Sequence, residues 1–283
     1  MRKPFMEELS TAVELGRPIM LITGDLGWGV VEEFAARFPQ NFINAGVAEQ
    51  NMMGMAAGMA AEGYHVFVYS IANFPTFRCA EQIRNDVDYH NLPVTIVAVG
   101  GGLAYGAMGY SHHAIQDYAL MRSMPNMLIA APCDDNETRA CVRYLVDHPQ
   151  PSYLRLGRGG EQQIRTEIPT VDPGKWVHLT GVVSDGEDIS YVTTGTANQN
   201  TSRPGEHWTL PLWGMKYKHM QVMQSRDYNT IVTREDHLPD GGFGSWMLEA
   251  LHKYDVSLRI EALDPRVCGE VGSAEYLQNK EWK

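Results

Sequence analysis

The stretch 41-NFINAGVAEQNMMGMAAGMAAEGYHVFVYS-70 decides the reading of the fold. It opens on a short β-like run, NFINA, and closes on an apolar strand, HVFVYS. Between them residues 49–62 are made almost wholly of Met, Ala and Gly and read as a helix with few polar positions. Strand, helix, strand at this spacing is one β-α-β unit, and its two strands run parallel. A single carboxylate, Glu49, stands where the first strand gives way to the helix. As a first-turn acid it suits the positive end of the helix dipole. As an acid in apolar surroundings it would keep its proton and could donate a hydrogen bond to a bound molecule. The Met positions 52, 53, 55 and 59 read as packing, since methionine fills irregular gaps.

The pattern repeats on both sides. Upstream, Phe5, Leu9 and Val13 recur every four positions as an opening helix that Pro18 closes, followed by a strand, IMLIT, and a helix, VVEEFAARF. Downstream come a helix over 75–90, the strand VTIVAV, the helix AIQDYALMRSM and the strand MLIAA. The helix DNETRACVRYLVD, capped by Asp134 or Asp135, and the strand SYLRL complete the series. VTIVAV is as apolar as the interior of a parallel sheet. The expectation is an α/β fold in which residues 1–160 form a parallel sheet covered on both faces, with ligands beyond the carboxyl ends of its strands. Residues 161–180, rich in Gly and Pro, read as a linker. Residues 181–283 read as a smaller α/β domain with strand-like ISYVTT, MQVMQ, NTIVT and VSLRIEAL, and a glycine turn entering a helix in GGFGSWMLEALHKY.

Bulk properties narrow the function. The chain has 283 residues, 44% of them hydrophobic, enough for a sizeable core. A formal net charge of −11 disfavours nucleic acid as a partner and fits a soluble, cytoplasmic protein. The four cysteines show no C-x-x-C spacing and read as free thiols in a reducing compartment. The first residues, MRKPFMEELS, carry no apolar signal region, and no run approaches 18 apolar residues, so neither a signal peptide nor a membrane span is expected.

Five segments together resemble the transketolase family, in its order and spacing: GVAEQNM (46–52), GYSHHAIQD (109–117), ALMRSMPNMLIAAPCD (119–134), YLRLGR (153–158) and VTREDHLPDGGFGS (232–245). The resemblance covers the family's pyrimidine-binding domain and its C-terminal domain, nearly the whole chain. It implies thiamine diphosphate as cofactor. Full-length members begin with a further domain whose G-D-G and a later Asn bind Mg²⁺ and the cofactor's phosphates. This chain has SDGED at 184–188 but no G-D-G. It also lacks a glycine loop of the P-loop or dinucleotide type. The resemblance therefore implies one subunit of a split enzyme, with Mg²⁺ held mainly by a partner chain that carries the diphosphate-binding domain. A homodimer of this chain within an α2β2 assembly follows from the same likeness.

Roles for single residues follow from it too. Glu49 matches the essential glutamate, whose carboxyl would bond the pyrimidine nitrogen and favour the imino tautomer. Phe74 and Phe77 match the platform for that ring, where stacking adds to burial, and Phe77 is favoured. His112 matches the histidine at the reacting centre, able to shuttle protons near neutrality; His113 beside it has no counterpart but is included with the substrate contacts. Arg158 would bind a phosphate or carboxylate through two parallel bonds, and Arg155 on the same strand is read as sharing its face. Asp25, in TGDLG, is read either as touching cofactor or as capping a turn. Glu235, Asp236 and His237 are read as structural.

Three departures concern the substrate. Met108 stands where the family has an acid that meets a sugar hydroxyl, Gly100 where it has a phosphate-binding His, and His113 where it has Gln. Losing such groups weakens discrimination for hydroxyls, so the expected substrate is sugar-like but not a routine pentose and hexose phosphate pair. The segment TSRPGEHWTLPLWGM (201–215), with two prolines, replaces a family helix. The expected activity is transfer of a two-carbon ketol unit from a ketose-type donor to an aldehyde. The alternatives are a 2-oxoacid dehydrogenase or deoxyxylulose-phosphate-synthase-like subunit, or a non-catalytic scaffold of the same fold.

Overall fold

The structure is a computed structural model and describes residues 1–182, 189–197 and 203–280. Its first half alternates helix and strand: α1 (Arg2–Glu14), β1 (Ile19–Thr23), α2 (Glu32–Arg37), β2 (Phe42–Asn44), α3 (Glu49–Ala61), β3 (His65–Ile71), α4 (Asn73–Phe77), α5 (Ala80–Gln82), β4 (Val94–Val99), α6 (Asp117–Met121), β5 (Leu128–Ala130), α7 (Asp135–Asp147) and β6 (Ser152–Leu156). The second half holds β7 (Val177–Val182), β8 (Ile189–Thr193), β9 (Gly205–Thr209), β10 (Leu212–Trp213), α8 (Lys218–Gln224), β11 (Thr230–Arg234), α9 (Phe243–Leu251), β12 (Ser257–Glu261) and α10 (Ala274–Asn279).

β1 to β6 form one sheet in the order β5-β6-β4-β3-β1-β2, every neighbouring pair parallel. β1 and β4 are buried along their whole length, which is why both read as unbroken apolar runs. Successive residues serve opposite faces. Val66, Val68, Ile96 and Ala98 pack with Met52, Met53 and Ala56 of α3. Phe67, Val97 and Val99 pack with Phe5 and Leu9 of α1 and Leu145 of α7. At the amino ends of three adjacent strands, His65, Thr95 and Ser152 form a buried side-chain chain with spacings of 2.8 and 2.7 Å. Helix α7 starts where its cap predicts: Asp134 Oδ1 accepts from the Glu137 N–H at 2.8 Å.

The second sheet has the order β12-β11-β8-β9-β7, with only β7 antiparallel to its neighbour. Several expected elements differ. The helix over 75–90 is broken into α4, α5 and a π-helical turn over Ile83–Asp88. Pro75 inside α4 has no N–H to give. MQVMQ is not a strand but lies in α8, where buried Gln221 accepts from the Trp176 indole and donates to Gly174 O. Strand β7 begins at Val177, inside the stretch read as linker. GEHWT and LW form β9 and β10, and β10 pairs antiparallel with β5, so the second half adds an edge strand to the first sheet. The SDGED segment and residues 198–202 lie outside the described residues. All four cysteines are free thiols. Among the described residues no helix is long and apolar enough to cross a membrane.

Candidate active site

Glu49 is the first residue of α3, after an Ala48 cap that supplies no side-chain bond. The acid thus provides the negative charge that this helix end favours. Its side chain turns inward and is only 5% exposed. The setting is not purely apolar, however, and that expectation is corrected: Arg78 Nη1 donates to Glu49 Oε1 at 2.7 Å. The Arg78 side chain is half exposed, at 49%, and covers the acid from the solvent side.

The same guanidinium lies over the Phe74 ring, 4.2 Å from its centroid. His112 meets Phe74 edge-on at 5.3 Å and Tyr105 at 6.2 Å between centroids. The Arg158 guanidinium lies 5.0 Å from the Tyr105 centroid. Glu49, Arg78, Phe74, His112, Tyr105 and Arg158 therefore form one unbroken series of contacts. They come from the segments that follow β2, β3, β4 and β6, at the carboxyl ends of the parallel strands. Phe77 is 46% exposed and lines an open cleft with Phe74, Arg78 and Tyr110. The ring with contacts to the rest of the series is Phe74.

The loop carrying His112 is held at its base and its tip. Gly102 and Ala114 exchange two backbone hydrogen bonds at 2.9 Å each. Asn73 Nδ2 donates to Ser111 O and His113 O at 3.1 and 2.9 Å, pinning the loop to α4. Ser111 Oγ lies 3.0 Å from His112 Nδ1 and fixes the ring's rotation. His113, expected among the substrate contacts, is fully buried with Nε2 at 3.2 Å from Gly106 O, so in this chain it supports the loop from inside and is not exposed at the surface. Met108 is exposed on the same loop.

Gly100 has φ +81°, and a Cβ there would lie 2.1 Å from the Tyr105 ring. Tyr105 fills the space that a side chain at position 100 would need. Asp25 adopts φ 58°, a conformation Asp tolerates better than most residues. Its N–H donates to Asn44 Oδ1, and its Oδ1 accepts from Asn44 Nδ2, both at 3.0 Å. It ties the end of β1 to the end of β2. Arg155 lies in β6, whereas Arg158 is two residues past the end of that strand and three positions from Arg155, so strand alternation gives them no shared face and that expectation is corrected. Arg158 is exposed. Arg155 is buried between Asp117 and Asp236, with its guanidinium 4.4 Å from the Tyr118 ring centroid.

Glu235 Oε1 and Oε2 accept from the N–H groups of Gly244 and Phe243 at the start of α9, and burial pushes its carboxyl up to about 8. Burial pushes the His237 imidazole down; its Nδ1 donates to Leu238 O. His237 Nε2 accepts from the Ala119 N–H and Asp236 pairs with Arg155, so these two reach the first half, while Glu235 serves the start of α9. Arg78 and Tyr105 belong to this series of contacts, and the sequence reading does not reach them. The signal for Arg78 is its spacing: it follows Phe74 by four positions, which lets a long side chain fold back over a ring.

A mainly parallel sheet with a buried acid, an aromatic face, a histidine and an arginine at its carboxyl edge is an α/β chain of the pyrimidine-domain class. Residues 1–161 match the family described as "Transketolase, pyrimidine binding domain". The chain belongs to the transketolase family. It is 32% identical to one of the subunits of the apulose-4-phosphate transketolase of Phocaeicola vulgatus, over 92% of this chain and 86% of that one. It is 36% identical to "Putative transketolase C-terminal section" of Methanocaldococcus jannaschii, over 98% of this chain and 90% of that one. Among solved structures, "Split gene transketolase, inactive beta4 tetramer" superimposes with a TM-score of 0.80 at 30% identity, covering 95% of this chain and 90% of that one.

Proposed function

We propose that the chain is one subunit of a split, thiamine-diphosphate-dependent enzyme that transfers a two-carbon ketol unit from a ketose-type donor to an aldehyde. The observation that carries this reading is the buried Glu49 bonded to a flat cationic group that lies over the Phe74 ring. A slot that takes a planar hydrogen-bond donor between a carboxylate and an aromatic face fits an aminopyrimidine ring. Glu49 would bond the ring nitrogen, Phe74 would carry its face, and Phe77 and Asp25 would border it. When bound, the cofactor supplies a nucleophilic carbon that attacks a carbonyl and carries the two-carbon unit.

This chain's own residues would do the rest. Glu49 would hold the tautomer of the ring. His112, its Nδ1 beside Ser111, would move a proton at Nε2 on the substrate. Arg158 would bind the anionic end of the substrate with two parallel bonds. Gly100 and Met108 offer no polar group there, which supports a sugar-like substrate other than a routine pentose and hexose phosphate pair. Residues 1–160 would act as the pyrimidine-binding domain, and the second sheet, which begins with β7 at Val177, would belong to the C-terminal domain. Two relatives, one named as a transketolase subunit and one as a C-terminal section, support a separate chain that brings the diphosphate-binding domain and the ligands of Mg²⁺. Two copies of each chain would assemble as α2β2, in the cytoplasm.

A second reading is a deoxyxylulose-phosphate-synthase-like subunit. It is favoured by 33% identity to "1-deoxy-D-xylulose-5-phosphate synthase" of Aquifex aeolicus over 97% of this chain, which spans 45% of that protein. The test is co-expression with a diphosphate-domain subunit, followed by calorimetric titration with thiamine diphosphate and Mg²⁺ and assays with both sugar and pyruvate donors. Binding and turnover lost in Glu49→Ala support the proposal. Unchanged binding in Glu49→Ala overturns it, and turnover in which pyruvate, and not a ketose, serves as donor to an aldehyde with release of CO₂ favours the second reading.

A further inference from the structure

We infer that Arg78 is a resident occupant of the pyrimidine slot, and that cofactor binding requires it to be displaced. The inference rests on the proposed cofactor. Its basis is that one guanidinium makes both contacts assigned to the ring. It is planar, it donates a hydrogen bond to the buried Glu49 Oε1, and it lies on the face of Phe74. A carboxylate oxygen can be shared between two donors. The face of Phe74 under Arg78 cannot carry two flat groups at once, and the ring's other neighbour, His112, meets it edge-on.

The asymmetry of burial says which partner moves. Glu49 is 5% exposed and fixed at the start of α3, while the Arg78 side chain is 49% exposed at the mouth of the cleft. A half-exposed guanidinium loses little by swinging into water, because ion pairs at the surface are weak. A buried carboxylate without any counter-charge would be costly in the empty site. Arg78 therefore protects the acid while the slot lacks its ligand. It also lowers the apparent affinity, since only the fraction of chains with Arg78 swung away can bind the ring. Arg78 is a positioning residue in this scheme and touches no reacting atom.

The experiment measures the Kd of thiamine diphosphate, with Mg²⁺, for this chain assembled with its diphosphate-domain subunit. Wild type is compared with Arg78→Ala and Arg78→Gln by calorimetry at two salt concentrations. Both variants are expected to bind about three- to tenfold more tightly than wild type. The gap should narrow at high salt, because salt weakens the half-exposed ion pair in wild type and has no such pair to weaken in the variants. A role confined to folding would not produce that salt-dependent gap. If Arg78→Ala does not fold, Arg78→Gln carries the comparison, and a structure of the loaded wild-type complex gives an independent answer. Equal or weaker binding by the variants, or Arg78 still seated on Phe74 in the loaded complex, overturns the inference and leaves the proposed function standing. Failure of wild type to bind the cofactor at all overturns both.

Discussion

Arg155 of β6 and Asp236, two residues past the end of β11, form an ion pair that crosses from one half of the chain to the other. Asp117 holds the same guanidinium from the first half, with Oδ2 at 2.7 Å from Nε. All three side chains are buried. Arg155→Met leaves two carboxylates with no counter-charge, and removing one partner of such a group costs about 3–5 kcal/mol. Urea unfolding should show that loss. Adding Asp117→Asn and Asp236→Asn to the same variant should recover most of it, and no recovery would mean that packing dominates over charge.

Gly100 and Tyr105 are coupled by space. Gly100→Ala meets both a positive φ and the Tyr105 ring, and we expect a loss of about 1–3 kcal/mol. In the background Tyr105→Ala the same change should cost only the conformational part, about 1 kcal/mol. A double-mutant cycle by thermal unfolding checks this, and additive losses would deny the coupling.

His65 makes stability depend on pH in a stated direction. Burial pushes its imidazole down from 6.5 to about 3. Below about 6.5 the unfolded chain takes up a proton that the folded chain refuses. Stability should therefore fall as pH drops from about 6.5 towards 3, by at most ~1.4 kcal/mol per pH unit from this group. Melting temperatures of wild type and His65→Gln across that range test it. The variant should show the shallower slope, and identical slopes would assign the acid sensitivity elsewhere.

His112 and Arg158 should separate kinetically in the assembled enzyme. His112→Gln keeps a polar side chain but cannot shuttle protons, and kcat should fall about 10²-fold or more. Arg158→Met should raise KM for the anionic substrate with a smaller effect on kcat, since it removes binding shared by ground and transition states. Steady-state kinetics with each variant provide the check, and an unchanged kcat in His112→Gln would remove His112 from proton transfer.

Legibility of the fold in the sequence follows the local strength of pattern. VTIVAV and DNETRACVRYLVD are readable because an unbroken apolar run and an N-cap aspartate each have one dominant solution. MQVMQ is not, because five residues with mixed apolar and polar positions satisfy either period, and a tertiary bond from Trp176 to Gln221 decides it. Strands β9 and β10 are hidden by Pro211 between them and by partners distant in sequence. In the site, Glu49, Phe74, His112 and Arg158 are reached through motifs. Arg78 and Tyr105 belong to no motif, and their importance exists only through what they lean on. His113 shows the reverse: a motif neighbour whose side chain the loop turns inside.

The short β10 strand has a practical consequence for anyone wishing to dissect this polypeptide. Leu212 and Trp213 seal the rim of the first sheet beside β5. A fragment ending near residue 160 would lose that seal and leave the β5 backbone groups open to pairing with a neighbour. Such a fragment is expected to self-associate when expressed alone, so the two halves are better exchanged or tagged as one piece than cut at the linker.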